Sequence, residues 1–278
     1  MIDSPAPEIW DEAGDSDRLA EYDALFESDA TDADRFYLRG AAECGGPIVE
    51  LGSGSGRLVA VFAEAGFEVT GVEPSPVLAQ RARQRTDALD PVARSRVRTI
   101  VGDLLAWRSD AASLGLIVLA RDALCRLHSD RDRVALLVAC RDALRSTGVL
   151  AMELSLVGSG PHRNWGDRRG DGTLFYDGCV PDPVAGNGGM VQRFHADALD
   201  ERTSTLLRTV LFDHVSPSGE VRRVILRQRR AHITPEQLTS ELDAAGFRSV
   251  AVYGGFELEP LFDSRLAGGG RQVCIARP

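Results

Sequence analysis

Three glycines stand at alternate positions in Gly52-Ser53-Gly54-Ser55-Gly56. An apolar run, Ile48 to Leu51, precedes them and carries one acid, Glu50. A helix-type pattern, Leu58-Val59-Ala60-Val61-Phe62, follows. A strand, a glycine turn and a helix start, in that order, suit a nucleotide-type ligand. Glycine takes positive φ and admits a ligand with no Cβ in its way. The helix start supplies unpaired N–H groups and a partial positive charge. The spacing is not the Gly-x-Gly-x-x-Gly of a pyrophosphate site, because Arg57 stands where the last glycine belongs. That argues against a nicotinamide dinucleotide. Glu50 suits a ligand carrying an ammonium group better than one carrying phosphates. The alternative is a plain tight turn in another α/β protein.

Further acids follow further apolar runs. Phe67 to Val72 reads as a second strand and ends at Glu73-Pro74-Ser75. A carboxylate at this point of a doubly wound sheet accepts hydrogen bonds from ribose hydroxyls. Val97 to Val101 reads as a third strand, followed by Gly102-Asp103-Leu104. Leu116 to Leu119 reads as a fourth, followed by Ala120-Arg121-Asp122. Ligands of open parallel sheets bind at these strand ends, so Glu50, Glu73, Asp103 and Arg121-Asp122 converge on one edge.

This ordered set resembles the class I S-adenosylmethionine-dependent methyltransferases, in their small-molecule branch that methylates sugars and natural products on N or O. The resemblance extends to the Leu-Arg-Ser-Thr-Gly-Val-Leu phrase from Leu144 and to the Thr-Pro-Glu, Ala-Gly-Phe and Tyr-Gly order of the C-terminal region. It implies S-adenosylmethionine as cofactor, with Gly52, Ser53, Gly54 and Gly56 beside its amino acid end and Arg57 near its carboxylate. It implies Glu73 with Pro74 at the ribose, Asp103 at the adenine amino group and Leu104 against the ring. Ala120 and Arg121 complete the cofactor edge, and the aromatics Tyr22 and Tyr37 close over it. Those two tyrosines also fit ordinary packing of amphipathic helices. The family pattern has Cys or Gly at Ser53 and Thr at Ser55, all small residues.

Methyl transfer is an in-line displacement with a neutral leaving group, so the protein chiefly holds the nucleophile close and aligned. A hydroxyl acceptor gains from a general base, and a neutral amine needs none. His128 and Asp122, just past the fourth strand, are the catalytic candidates, with His162, Tyr176 or His195 of the cap as further candidates for a base; Asp122 equally suits a helix cap. Arg126, Tyr176 and His195 are the substrate-pocket candidates, with His162 beside them. No metal-ligand spacing occurs, so a metal-independent reaction is expected.

The elements that must position these groups make a Rossmann-like α/β domain with a mostly parallel seven-stranded sheet and an inserted antiparallel β cap. Residues 1–45 read as an N-terminal arm, loose over 1–17 and then helical, with Leu19, Tyr22, Leu25 and Phe26 on one face. Residues 46–155 and 233–278 read as the cofactor domain. Residues 156–232 read as the insertion, with strands at Met190–Ala198, Thr203–His214 and Glu220–Ala231. It serves as a substrate cap or a dimer surface. Ser75 caps a helix with Pro76 at its first position, and Thr234-Pro235-Glu236-Gln237 is a capping box.

Net charge is −9 over 278 residues, which disfavours nucleic acid. All 32 basic residues are arginine, so Schiff-base lysine chemistry is excluded. The five cysteines are scattered with no Cys-x-x-Cys, which fits a reducing cytoplasm. No signal peptide and no membrane span is read. A small-molecule acceptor and a homodimer through the inserted sheet are the expected partners. The rival readings are an RNA or protein methyltransferase and a methyltransferase fold that binds without turnover.

Overall fold

The computed structural model describes residues 6–11, 22, 25–26, 32–157, 170–183, 188–261 and 270–278. His162 and the first residues of the arm lie outside this set.

Chain order begins with β1 (Glu8–Asp11), α1 (Asp32–Cys44), β2 (Ile48–Leu51), α2 (Arg57–Glu64), β3 (Val69–Glu73) and α3 (Pro76–Asp87). It continues with α4 (Pro91–Arg94), β4 (Val97–Val101), β5 (Leu114–Leu119), a 3₁₀ turn at Leu124–Arg126, α5 (Asp130–Ala143) and β6 (Leu144–Ser155). Then come β7 (Asp171–Pro181), β8 (Met190–Asp200), β9 (Thr205–Val215) and β10 (Val221–Ala231). α6 (Pro235–Ala244), β11 (Ser249–Tyr253) and β12 (Arg271–Arg277) close the chain.

The main sheet has seven strands in the order β11-β12-β6-β5-β2-β3-β4. The pairs β2–β3, β2–β5, β3–β4 and β5–β6 are parallel, and β12 is antiparallel to both its neighbours. β5 is buried along its whole length, which is why its sequence is a continuous apolar run and not an alternation. Apolar clusters cover both faces. Leu136, Leu137 and Cys140 of α5 and Leu238 and Leu242 of α6 lie on one. Phe36, Tyr37 and Ala41 of α1 and Leu58 and Phe62 of α2 lie on the other. From β2 the chain winds to β3 and β4 in one direction, while β5 and β6 extend the sheet in the other. The crevice for a ligand therefore opens at the carboxyl end of β2.

The helix starts are made as their sequences dictate. Ser75 Oγ accepts from the Leu78 amide at 3.3 Å. Thr234 and Gln237 exchange side chain–backbone bonds at 2.9 and 3.2 Å.

The second sheet has five strands, in the order β1-β10-β9-β8-β7. Two of them correct the sequence reading. Glu8–Asp11, read as part of a loose acidic arm, pairs parallel to β10. Trp10 is only 6% exposed there, among Val210, Phe212 and Leu226. A four-residue strand amid acids and prolines carries no periodic signal, and burial of one tryptophan anchors it. β7 lies in a stretch whose glycines and prolines read as turns. It is an edge strand, where Pro181 costs no central ladder bond, and its register shifts between Tyr176 and Gly178. The arm is thus divided: its first strand joins the inserted sheet, while α1 packs on the main one.

Candidate functional site

The turn after β2 is closed by a side chain from β3. Gly52, Gly54 and Gly56 all have positive φ, at 80°, 57° and 77°. The Gly52 amide donates to the Val72 carbonyl at 2.8 Å. The Gly54 amide donates to Glu73 Oε2 at 2.8 Å, and the Ser75 amide to Glu73 Oε1 at 2.9 Å. Glu73 is buried, so two N–H groups hold its charge. A carboxylate has about four acceptor positions, and the remaining lone pairs suit hydroxyl donors. A Cβ on Gly56 would stand 2.7 Å from Ala82 Cβ of α3. Gly56 therefore serves close helix packing, the task of the third glycine in a pyrophosphate turn. A Cβ on Gly54 would meet nothing within 4 Å, so the top of the turn is open.

Tyr37 of α1 is 1% exposed, and its hydroxyl has no hydrogen-bond partner among the described residues. Burial pushes its ionisation well up. The Glu153 and Glu50 carboxylates add to this, and Arg271 and Arg57 oppose it. These four charged side chains therefore lie within electrostatic reach of the Tyr37 hydroxyl. Phe256 lies 5.6 Å from the Phe36 ring and 6.4 Å from that of Tyr37, with the Arg271 guanidinium 4.7 Å over it. Glu50 is buried in β2. Arg57 forms an ion pair with Asp34 in the first turn of α1. Its charge is thus partly matched inside the protein, and Asp34 was not foreseen.

Glu153 near the end of β6 was also missed. Its Oε1 accepts the Arg121 amide at 3.1 Å, and Oε2 lies 3.3 Å from Arg271. Burial raises its carboxyl, and Arg271 with the Arg121 amide pulls it back. The only sequence signal was an acid at the carboxyl end of a fifth apolar strand.

Asp103 is exposed, and one oxygen accepts the Leu105 amide at 3.0 Å. Leu104 is buried beneath it, and Pro74 is exposed at the neighbouring strand end. The Gly102 amide donates to the Glu73 carbonyl at 3.1 Å, which holds the two acidic strand ends together.

Ala120 is buried, and Arg121 and Asp122 are both left-handed, with φ of 52° and 62°. Such backbone is strained for residues with a Cβ and occurs where surroundings fix it. The fixing bonds are clear. Asp122 Oδ1 accepts the Ser155 amide at 2.5 Å, and Oδ2 accepts the Ser155 hydroxyl at 2.7 Å. Both oxygens thus hold β6. His128 is exposed, and its carbonyl accepts from Arg133 at 3.2 Å. Arg126 is exposed on the 3₁₀ turn.

The inserted sheet faces this edge with one side. β10 packs on the 3₁₀ turn at Leu124–Arg126. Val191, Arg193, His195 and Asp197 of β8 lie opposite His214, Phe212, Val210 and Arg208 of β9 on that face. Arg208 and Asp197 make a bidentate pair at 2.8 and 2.9 Å. His195 Nδ1 lies 2.6 Å from Asp177 Oδ1. Tyr22 packs 4.5 Å from Phe212 and 2.6 Å from His214 Nε2, while His214 Nδ1 reaches Asp182 at 2.6 Å. Tyr22 thus packs against the inserted sheet. Tyr176 pairs with Phe194 on the opposite, outward face and is 58% exposed, which removes it from the pocket.

Residues 48–148 match a protein family described as a methyltransferase domain. Residues 48–148 therefore carry a methyltransferase-domain pattern, and the fold around them is that of class I methyltransferases. No curated protein matches the sequence. The methyltransferase fold extends over nearly the whole chain in solved structures. The CcbJ methyltransferase from Streptomyces caelestis is 21% identical with a TM-score of 0.71, covering 92% of this chain and 94% of that one. CalS10, an amino pentose methyltransferase from Micromonospora echinaspora involved in calicheamicin biosynthesis, was solved with S-adenosylmethionine bound. It is 20% identical with a TM-score of 0.68, covering 94% and 96%. The sugar N-methyltransferase KedS8 from Streptoalloteichus sp ATCC 53650 is 15% identical with a TM-score of 0.67, covering 94% and 93%. Among the described residues, no three His, Cys, Asp or Glu side chains group as metal ligands. No described helix is long and apolar enough to cross a membrane.

Proposed function

We propose that the protein transfers a methyl group from S-adenosylmethionine to a nitrogen or oxygen of a small molecule, in secondary metabolism. The observation that carries this reading is the buried Glu73 carboxylate, closed on the Gly54 amide at the crevice between β2 and β5. The residues suit the cofactor. Glu73 has acceptor positions left for two ribose hydroxyls. Asp103 has an exposed carboxylate for an exocyclic amine. The buried Tyr37 hydroxyl, Glu50 and Glu153 suit an ammonium group, and the open Gly54 admits it. When bound, the cofactor supplies an electrophilic methyl on sulfur. The protein's task is then to orient the acceptor and exclude water, with the inserted sheet as the roof.

The amino pentose and sugar substrates named for the structural neighbours support a sugar-like or natural-product acceptor. Net charge of −9 supports a small molecule over nucleic acid. Five unpaired cysteines, four of them buried, support a cytoplasmic setting. The outward face of the inserted sheet supports a homodimer. Tyr176, Phe194, Leu211, Ile225 and Ile9 form one apolar row across all five strands, and Ile9 is 57% exposed.

Calorimetry with S-adenosylhomocysteine, beside a nicotinamide titration, tests the cofactor. Label transfer from methyl-labelled S-adenosylmethionine to amino sugars, alcohols and phenols tests the acceptor. Binding of the nucleoside with no label transfer would favour a binding protein. Light scattering of Tyr176→Asp against wild type tests the dimer.

A further inference from the structure

Resting on the methyltransferase reading, we propose that His195, oriented by Asp177, is the general base that takes the acceptor's proton. Three observations carry this. The first is the ring's orientation. Nδ1 lies 2.6 Å from Asp177 Oδ1, and the ring stacks on Phe175 with centroids 5.4 Å apart and planes 19° from parallel. A carboxylate at Nδ1 keeps the proton there and leaves Nε2 as the basic nitrogen. Nε2 has no partner among the described residues.

The second is the other contact of Asp177. Arg193 Nε lies 3.4 Å from its second oxygen, so the carboxylate is held between Arg193 and the His195 ring. The third is location. Asp177 and Asp122 both act electrostatically on Arg208. His195 lies on the face of β8 that carries the buried Val191 and Asp197, opposite Val210 and Arg208 of β9, and β10 of the same sheet packs on the 3₁₀ turn that follows β5. The charged groups beside His195 on this face are Asp177 on β7, Arg193 and Asp197 on β8 and Arg208 on β9.

The other described histidines are placed differently. His214 has both nitrogens engaged, His232 is buried, and His128 is exposed beyond the 3₁₀ turn. The step balances. The acceptor's O–H or N–H bond breaks and its proton passes to Nε2. The acceptor's lone pair forms the new bond to the methyl carbon, and sulfur keeps the electrons of the broken C–S bond. The acceptor is therefore a hydroxyl or an amine that must lose a proton.

The first test needs no acceptor. An imidazole facing the sulfonium repels it once protonated, so the affinity ratio of S-adenosylmethionine to S-adenosylhomocysteine should rise about threefold or more from about pH 5.5 to 8. His195→Gln should abolish the rise, and Asp177→Asn should shift it to lower pH. A rise that persists in His195→Gln overturns the proposal. Failure of both nucleosides to bind overturns the methyltransferase reading and this one with it. In turnover with whichever acceptor takes label, His195→Gln should lower kcat about a hundredfold and flatten its pH profile, with KM little changed. A change confined to KM would overturn the base role.

Discussion

Gly54 and Glu73 lie on different strand–turn units, yet the amide of one donates to the carboxylate of the other at 2.8 Å. One side chain from β3 thus sets the shape of the turn after β2. The group that suits ribose hydroxyls is also the group that holds the glycine turn.

Glu73→Ala should therefore harm both fold and binding. Loss of two hydrogen bonds to a buried charge should cost roughly 1.5–3 kcal/mol of stability, and nucleoside affinity should fall at least tenfold. Asp103→Ala should lower affinity by a similar factor with little change in Tm, because Asp103 is exposed and caps only its own loop. Calorimetry and thermal melts on the two variants separate the roles. Unchanged affinity in Asp103→Ala would remove that residue from the adenine site.

Asp122 should behave as a structural clamp. Its replacement by alanine leaves the Ser155 amide and hydroxyl without their acceptor, at a cost of about 1–3 kcal/mol. Denaturant melts should register this loss. Ser155→Ala removes only one of the two bonds and should cost less. Equal stability of wild type and Asp122→Ala would contradict the clamp.

Arg133 and Glu241 join α5 to α6 through a buried pair. Arg133 Nε lies 3.0 Å from both Glu241 oxygens, and Nη1 donates to the Leu127 and His128 carbonyls. Breaking one side leaves a buried charge, so Arg133→Met should destabilise by about 3–5 kcal/mol. Adding Glu241→Leu should restore much of that loss. Urea midpoints of the single and double variants measure both effects.

His232 gives a pH dependence of definite sign. Burial holds its imidazole below the ordinary value, against a hydrogen bond with the Val157 backbone. The unfolded chain takes up a proton that the native state resists. The stability it contributes is present above the unfolded value of about 6.5 and is lost as pH falls through the lower folded value. His232→Gln should lose less stability than wild type between about pH 8 and 5.5. Parallel losses in urea melts would assign the effect elsewhere.

The sequence by itself determined the strand–turn–helix at Ile48–Phe62, the acids Glu73 and Asp103 at successive strand ends, and the caps at Ser75 and Thr234. Each of these is written within about ten residues, because period, capping and turn chemistry are local. Only the tertiary structure decided what joins distant segments. Trp10 finds its place by burial against β9 and β10, and Tyr22 meets a histidine 192 positions away. Asp34 meets Arg57, and Glu153 meets Arg271, across separate elements. Asp177 reaches His195 only because β7 bulges at the edge of the inserted sheet. The partners in these pairs are chosen by sheet order and register, which no local pattern encodes. That is why the acidic strand ends and three strands of the inserted sheet could be read along the chain while these long-range partners could not.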